Sequence, residues 1–435
     1  MIKRIDLGKT SLSDLHQVFK LNSPTELEKK KARLFPIGNS EAEISTTSIF
    51  LASLCAVKEY RKELLLAIGV NKIRTRNVNL HAYTELENVS KEERPDGLLI
   101  ITSGKQNPVI EWAAFIEAKV GNNQICEHQI GRYVEFGKDI GVTTIISISN
   151  EMVTSPTDSL VSTRRRSFTL NHWSWKYLSV SAQKLIRNGG IEDVDHIYIL
   201  RELRRYLDGH KGLRSHNHMG GGWKSAVKKI HSYAANSKMD KSTLDSLVSS
   251  YKQEEKDISL QLTDTSDYLV ELLDKEDRAP LIEKMLKESR TISTPFTINK
   301  NRSIQFNIVA DFIRQEVRCI TSVVVEQGKA QAQTSALLKL LDHTGIGTSD
   351  DIFIKAIYIR NKSVPNEITL RQLLDEKDNN EPYSIVDKSL GDKIKVFEIK
   401  TEDLLGRDFV SPKRFIVKIE KIAQVFLQQV MSSLI

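Results

Sequence analysis

Two apolar runs closing on one turn constrain this chain most. Residues 98–101 read Leu-Leu-Ile-Ile, and residues 109–120 are mostly apolar. Between them Ser103-Gly104-Lys105-Gln106-Asn107-Pro108 is dense in turn formers. Two β-capable runs around such a loop predict a hairpin. Side chains alternate along a strand, so Glu117 and Lys119 share a face of the second strand. Asp96, held between Pro95 and Gly97, sits at the mouth of the first strand and can meet them. Glu117 and Lys119 also interrupt a run, Trp112 to Ile116 and then Val120, that otherwise reads as buried. Buried charge needs a partner or a metal. The plainer alternative is a surface hairpin carrying a Glu–Lys pair.

Two carboxylates converging on one point repel unless a cation lies between them. Hard divalent cations such as Mg²⁺ take oxygen ligands and are commonly held by one or two carboxylates, water and a substrate phosphate. A lysine beside such a metal can orient or deprotonate the attacking water. The trio Asp96, Glu117 and Lys119 therefore suits metal-assisted phosphodiester hydrolysis.

Pro95-Asp96 followed by Glu117-Ala118-Lys119 resembles the PD-(D/E)xK nuclease superfamily, which includes restriction endonucleases and recombination exonucleases. That family has a helix with a further acidic residue before the hairpin, and a helix and then a strand after it. Here Ser40 reads as an N-cap with Glu43 three residues on, a capping-box pattern ahead of an apolar helix over 44–57. Glu43 thus has two candidate roles, capping glutamate or helix-borne acid of the site. Residues 123–138 are helical in pattern and carry Gln129 and Tyr133 on one face. That pair resembles an extra motif of the exonuclease-like branch, where it lies near the metal or the DNA. A polar pair on an exposed face is the alternative. Residues 142–149 read as a short strand.

The resemblance covers residues 40–150 and implies an α/β restriction-endonuclease-like core, a mixed sheet flanked by helices. It implies Mg²⁺-dependent cleavage of DNA, with Mn²⁺ as a substitute, in bacterial or phage DNA processing or genome defence. Asp96, Glu117, the Ala118 carbonyl and Glu43 would form the metal shell. Lys119 would position water, with Gln129 and Tyr133 supporting the site or touching substrate. The rival readings are a catalytically silent nucleic-acid-binding module of the same fold and an RNA nuclease. The wider sequence also resembles an uncharacterised group of bacterial proteins, through the Glu43 helix, the Pro95-Asp96-Gly97 hairpin, Ser149-Asn150-Glu151, His172-Trp173-Ser174-Trp175 and the segment 200–207.

Charge is uneven along the chain. Between residues 160 and 240 fifteen Lys and Arg face six Asp and Glu, whereas all 435 residues net only +7. Arg164, Arg165 and Arg166 open this stretch, and Lys176, Arg204 and Arg205 continue it among Trp173, Trp175, Tyr177, Tyr206 and Trp223. Such a surface attracts phosphate backbones whatever their sequence. The tryptophans read as core rather than as stacking platforms. His216 and His218 lack a matching ligand set for a metal. Gly220-Gly221-Gly222 lacks the spacing of a phosphate-binding loop.

No apolar run reaches the length of a membrane span, and Met1–Asp6 has no secretory pattern. Three scattered cysteines, Cys55, Cys126 and Cys319, argue for a reducing compartment. The expectation is a cytoplasmic protein without a membrane partner. The expected organisation is an N-terminal extension (1–38), the nuclease-like domain (39–190), a basic and then helical connecting region (191–290), and a C-terminal α+β domain (291–435). That last domain has no catalytic constellation and is expected to serve homodimerisation or substrate engagement.

Overall fold

Strands that read as continuous apolar runs belong where both faces of a sheet are covered, and the strand Gly97–Ser103 is buried at Gly97, Leu98, Leu99, Ile100, Ile101 and Thr102 alike. The computed structural model describes residues 7, 11–32, 42–86, 94–105, 108–153, 155–162, 167–213, 216–232, 240–274, 277–341, 350–358 and 367–435. The chain divides into two units, Met1–Ser215 and His216–Ile435.

The first unit contains α1 (Leu15–Val18), α2 (Pro24–Lys29), α3 (Ala42–Ala56), α4 (Lys58–Ala67), β1 (Val78–Thr84), β2 (Gly97–Ser103), β3 (Val109–Ala118), α5 (Glu127–Ile140), β4 (Thr144–Ser149), β5 (Thr169–Ser174), α6 (Trp175–Arg187) and α7 (Val194–Gly209). Its five strands run in the order β1-β2-β3-β4-β5. β1, β2 and β3 pair antiparallel, and β3, β4 and β5 pair parallel, so the sheet is mixed. The expected hairpin is β2–β3, with Gly97 opposite Ile116.

Alternation sorts the strand residues into two cores. Leu99, Ile101, Ala114, Ile116, Ile146, Ile148 and Trp173 pack with residues of α3, α4, α6 and α7. Leu98, Ile100, Phe115 and Ile145 pack with α5 and with Leu7, Leu15, Phe19 and Leu27 from the N-terminal segment. The sheet therefore lies between two helical layers. The segment expected as an extension is part of this unit, because its apolar side chains cover one face of the sheet. α5 ends at Gly141 in the left-handed conformation, which a glycine adopts without steric cost.

The second unit contains α8 (Trp223–His231), α9 (Lys241–Thr265), β6 (Val270–Leu272), α10 (Ala279–Glu288), β7 (Thr291–Ile298), β8 (Asn301–Asp311), β9 (Glu316–Val323), α11 (Ala330–Leu341), β10 (Ile352–Tyr358), β11 (Glu367–Thr369), α12 (Leu370–Asp378), β12 (Ile394–Leu404), α13 (Arg407–Val410) and α14 (Pro412–Phe426). Its seven strands form an antiparallel sheet in the order β11-β10-β12-β9-β8-β7-β6. The connecting region expected over 191–290 is divided between the units. α7 belongs to the first, while Leu247, Tyr251 and Ile258 of α9 and Ile282 of α10 lie in the core of the second. Trp223 is fully buried there, its indole N–H donating to the Phe409 carbonyl at 2.9 Å.

Candidate functional site

The parallel strands β3, β4 and β5 end together, and the antiparallel β2 begins at that same edge. Asp96, one residue before β2, and Glu117 and Lys119, at the end of β3, are thereby gathered at one edge of the sheet. Asp96 Oδ2 accepts the Ala118 N–H at 2.8 Å. Lys119 Nζ stands 2.5 Å from Glu117 Oε1. Their shared strand face is therefore realised as an ion pair, with Glu117 fully buried and Lys119 15 % exposed. The surface-hairpin alternative does not hold.

α3 brings Glu43 to the same place. Its Oε1 accepts from Lys119 Nζ at 3.2 Å and its Oε2 from the Val120 N–H at 3.2 Å. The expected cap residue Ser40 lies outside the described residues, as does Glu41. α5 supplies the next contacts. Gln129 Nε2 donates to the Tyr133 hydroxyl at 2.9 Å, and that hydroxyl lies 2.8 Å from Glu117 Oε2 and 3.2 Å from the Arg94 carbonyl. Tyr133 is 2 % exposed, so the pair is not a surface decoration.

The backbone under Lys119 is held on both sides. Its N–H donates to the Ile148 carbonyl at 2.7 Å, and its carbonyl accepts the Trp175 indole N–H at 2.9 Å. Asn150 Nδ2 donates to the carbonyls of Gly121 and Gly212, each at 2.8 Å, and the Gly121 N–H donates to Gly212 at 2.8 Å. Thr46 Oγ1 and Tyr206 Oη lie 2.7 Å apart, joining α3 to α7. Trp175, Asn150, Thr46 and Tyr206 are contributors that local sequence reasoning missed. Asn150 and Trp175 directly follow strand ends, whereas Thr46 and Tyr206 lie within helices and carry no local signal.

Electrostatics follow from burial. The Asp96 carboxyl is pushed up to about 7, first by burial and then by the Glu117 charge, against the Ala118 N–H and Lys119. Glu117 is also raised, chiefly by burial, although Lys119 and the Tyr133 hydroxyl oppose this. For Lys119 burial is the largest influence and acts downward, but Glu117, Asp96 and Glu43 together hold the ammonium above its ordinary range. Three carboxyl groups, those of Asp96, Glu117 and Glu43, act on one ammonium here, so Lys119 alone does not balance their charge. An additional cation fits that deficit. Among the described residues, however, no group of three or more His, Cys, Asp or Glu side chains stands as a preformed metal cage. The position between Glu117 and Glu43 is taken by Lys119.

The expected nucleic-acid residues divide. Arg164, Arg165 and Arg166 lie outside the described residues. Lys176 is half-buried in the first turn of α6. Arg204 is committed within its unit, hydrogen-bonded to Gln183 and to Ser179 and paired with Asp208 at 3.6 Å. It is not a free surface cation. Arg205 is 82 % exposed, with Glu202 3.6 Å away. Trp173 and Trp175 are buried core residues, as expected, and offer no face for stacking. Another side-chain pair has catalytic residue types but no access. His172 Nδ1 is 2.8 Å from Ser147 Oγ, and both residues are buried. The other ring nitrogen faces the Glu151 carbonyl at 2.8 Å, so the imidazole links strand ends.

His216 and His218 lie in the second unit. Burial, then His218, pushes His216 down to about 4. Among the described residues no helix is long and apolar enough to cross a membrane. No protein-family model, no curated protein and no solved structure matches this chain.

Proposed function

We propose that the first unit is a Mg²⁺-dependent nuclease of PD-(D/E)xK type that hydrolyses DNA phosphodiester bonds. The observation that carries this reading is the meeting of Asp96, Glu117, Lys119 and Glu43 at one sheet edge, with Tyr133 and Gln129 behind them. The element order also supports it: an acid-bearing helix and, after α4 and β1, a hairpin, a helix and then a parallel strand. The residues fit a hard cation because the donor set is oxygen-rich and the local charge is under-balanced.

Asp96, Glu117 and the Ala118 carbonyl would hold the ion, with Glu43 beside them. Once bound, a divalent cation supplies charge neutralisation for a phosphodiester and acidifies water. The chain's own residues do the rest. Tyr133 fixes Glu117 by its Oε2. Gln129 fixes the Tyr133 hydroxyl. Lys119, with a flexible four-carbon stem, orients the attacking water and steadies the developing phosphate charge. The exposed Arg205 is a candidate backbone contact, and the local excess of Lys and Arg raises affinity for polyanions. A role in bacterial or phage DNA processing or genome defence suits this chemistry by analogy of fold.

A nuclease assay on linear, circular and single-stranded DNA and on RNA tests the reading, in Mg²⁺, Mn²⁺ or EDTA. The wild type is expected to cut DNA only with metal, and Lys119→Ala to cut at least about 100-fold more slowly, a typical loss for one general acid–base or electrostatic group. Binding without cutting, equal in both proteins, would instead identify a silent binding module. Preferential cutting of RNA would move the assignment to an RNA nuclease.

A further inference from the structure

We propose that Lys119 is a built-in counter-cation that keeps divalent metal out of the site until its side chain leaves Glu117 and Glu43. The proposal rests on the metal-dependent nuclease reading and adds how that site is gated. Each of the two glutamates has one oxygen fixed by the protein and the other on the lysine. Glu117 Oε2 lies 2.8 Å from the Tyr133 hydroxyl, while Oε1 is 2.5 Å from Lys119 Nζ. Glu43 Oε2 accepts the Val120 N–H, while Oε1 accepts from Lys119 at 3.2 Å. The ammonium thus stands where a cation shared by the two carboxylates would stand. An ammonium in that position competes with Mg²⁺ for Glu117 Oε1, both by occupying the space between the two carboxylates and by charge repulsion.

The lysine is built to withdraw. Its backbone is pinned by Ile148 and Trp175, so departure needs only side-chain rotation. Its side chain retains 15 % exposure, whereas Glu117 has none. The group that withdraws from the carboxylates is then free to meet the water and the scissile phosphate. Metal entry and arming of the lysine become one event.

Two measurements test this on the full-length protein. First, Mn²⁺ binding is measured by calorimetry for the wild type and for Lys119→Met, with Lys184→Met as a control because Lys184 pairs with Glu63 at 3.1 Å on α4. Lys119→Met is expected to bind Mn²⁺ about tenfold or more tightly, a difference that corresponds to about 1.4 kcal/mol, with the control unchanged. Second, wild-type lysines are acetylated with and without Mg²⁺ and read by mass spectrometry. Labelling at Lys119 is expected to rise severalfold with metal. This second readout stands even where Lys119→Met fails to fold. Metal binding of equal strength in both proteins, or Lys119 labelling that stays level or falls while metal binds, overturns the gate and leaves the metal site standing. Absence of Mn²⁺ binding in every protein overturns the nuclease reading and the gate with it.

Discussion

Asp96, one residue before β2, is half-buried at an energetic cost. Its carboxyl, ordinarily near 3.8, is raised to about 7 by burial first and the Glu117 charge second. The folded protein therefore binds this proton more tightly than the unfolded chain does. The stability that Asp96 contributes is full below its unfolded value and is lost as pH rises through about 7. Asp96→Asn is expected to melt higher than the wild type at pH 8 in EDTA, with the gain shrinking toward pH 4, while metal-dependent cleavage is lost. An asparagine oxygen can still accept the Ala118 N–H, so the hairpin mouth should survive. A variant that melts lower at pH 8 would show that the carboxylate is structural rather than strained for function. Cys55, by contrast, is a spectator: burial pushes its thiol up to about 12.

Among the elements of the second unit, α9 buries three carboxyl groups, those of Glu254, Glu255 and Asp257. Arg278 is 3 % exposed and meets Glu255, which is 2 % exposed, at 2.9 Å; it also donates to the Ser293 carbonyl at 2.8 Å. Removing one partner leaves the other charged and desolvated. Arg278→Ala is expected to cost about 3–5 kcal/mol in denaturant unfolding of this unit, and a loss under about 1 kcal/mol would place the pair among dispensable surface bridges. One residue earlier, Glu254 is fully buried. Burial, then Asp257, then Glu420 push its carboxyl well above the ordinary 4.5. Its contribution to stability is therefore full below pH 4.5 and declines as pH rises above that value. Glu254→Gln should flatten this decline, melting above the wild type at pH 8 and close to it at pH 4.5. A variant with an unaltered pH profile would assign the decline to another group. In the first unit, the approach of α5 to the turn after it depends on Gly137, where a Cβ would collide with the Val142 carbonyl oxygen.

The protein is two units, the first with a core on each face of its sheet and the second with one core. Fragments of residues 1–215 and 216–435 are each expected to unfold cooperatively in calorimetry, because each has its own sheet and its own buried side chains. A 216–435 fragment that stays unfolded would mean that its core is incomplete. Local pattern was enough to place the β2–β3 hairpin, the shared strand face of Glu117 and Lys119, the helical positions of Glu43, Gln129 and Tyr133, and the buried tryptophans. These follow from local alternation, turn residues and helical spacing, which need no knowledge of distant contacts. The folded chain alone reveals that Leu7, Leu15, Phe19 and Leu27 cover a sheet face, that α9 is core rather than a connecting segment, and that Arg204 is committed to internal partners. Only it placed Trp175 and Asn150 under the strand ends and Lys119 between two glutamates. Such outcomes depend on side chains far apart in sequence competing for the same buried space, and composition and periodicity carry no information about that competition.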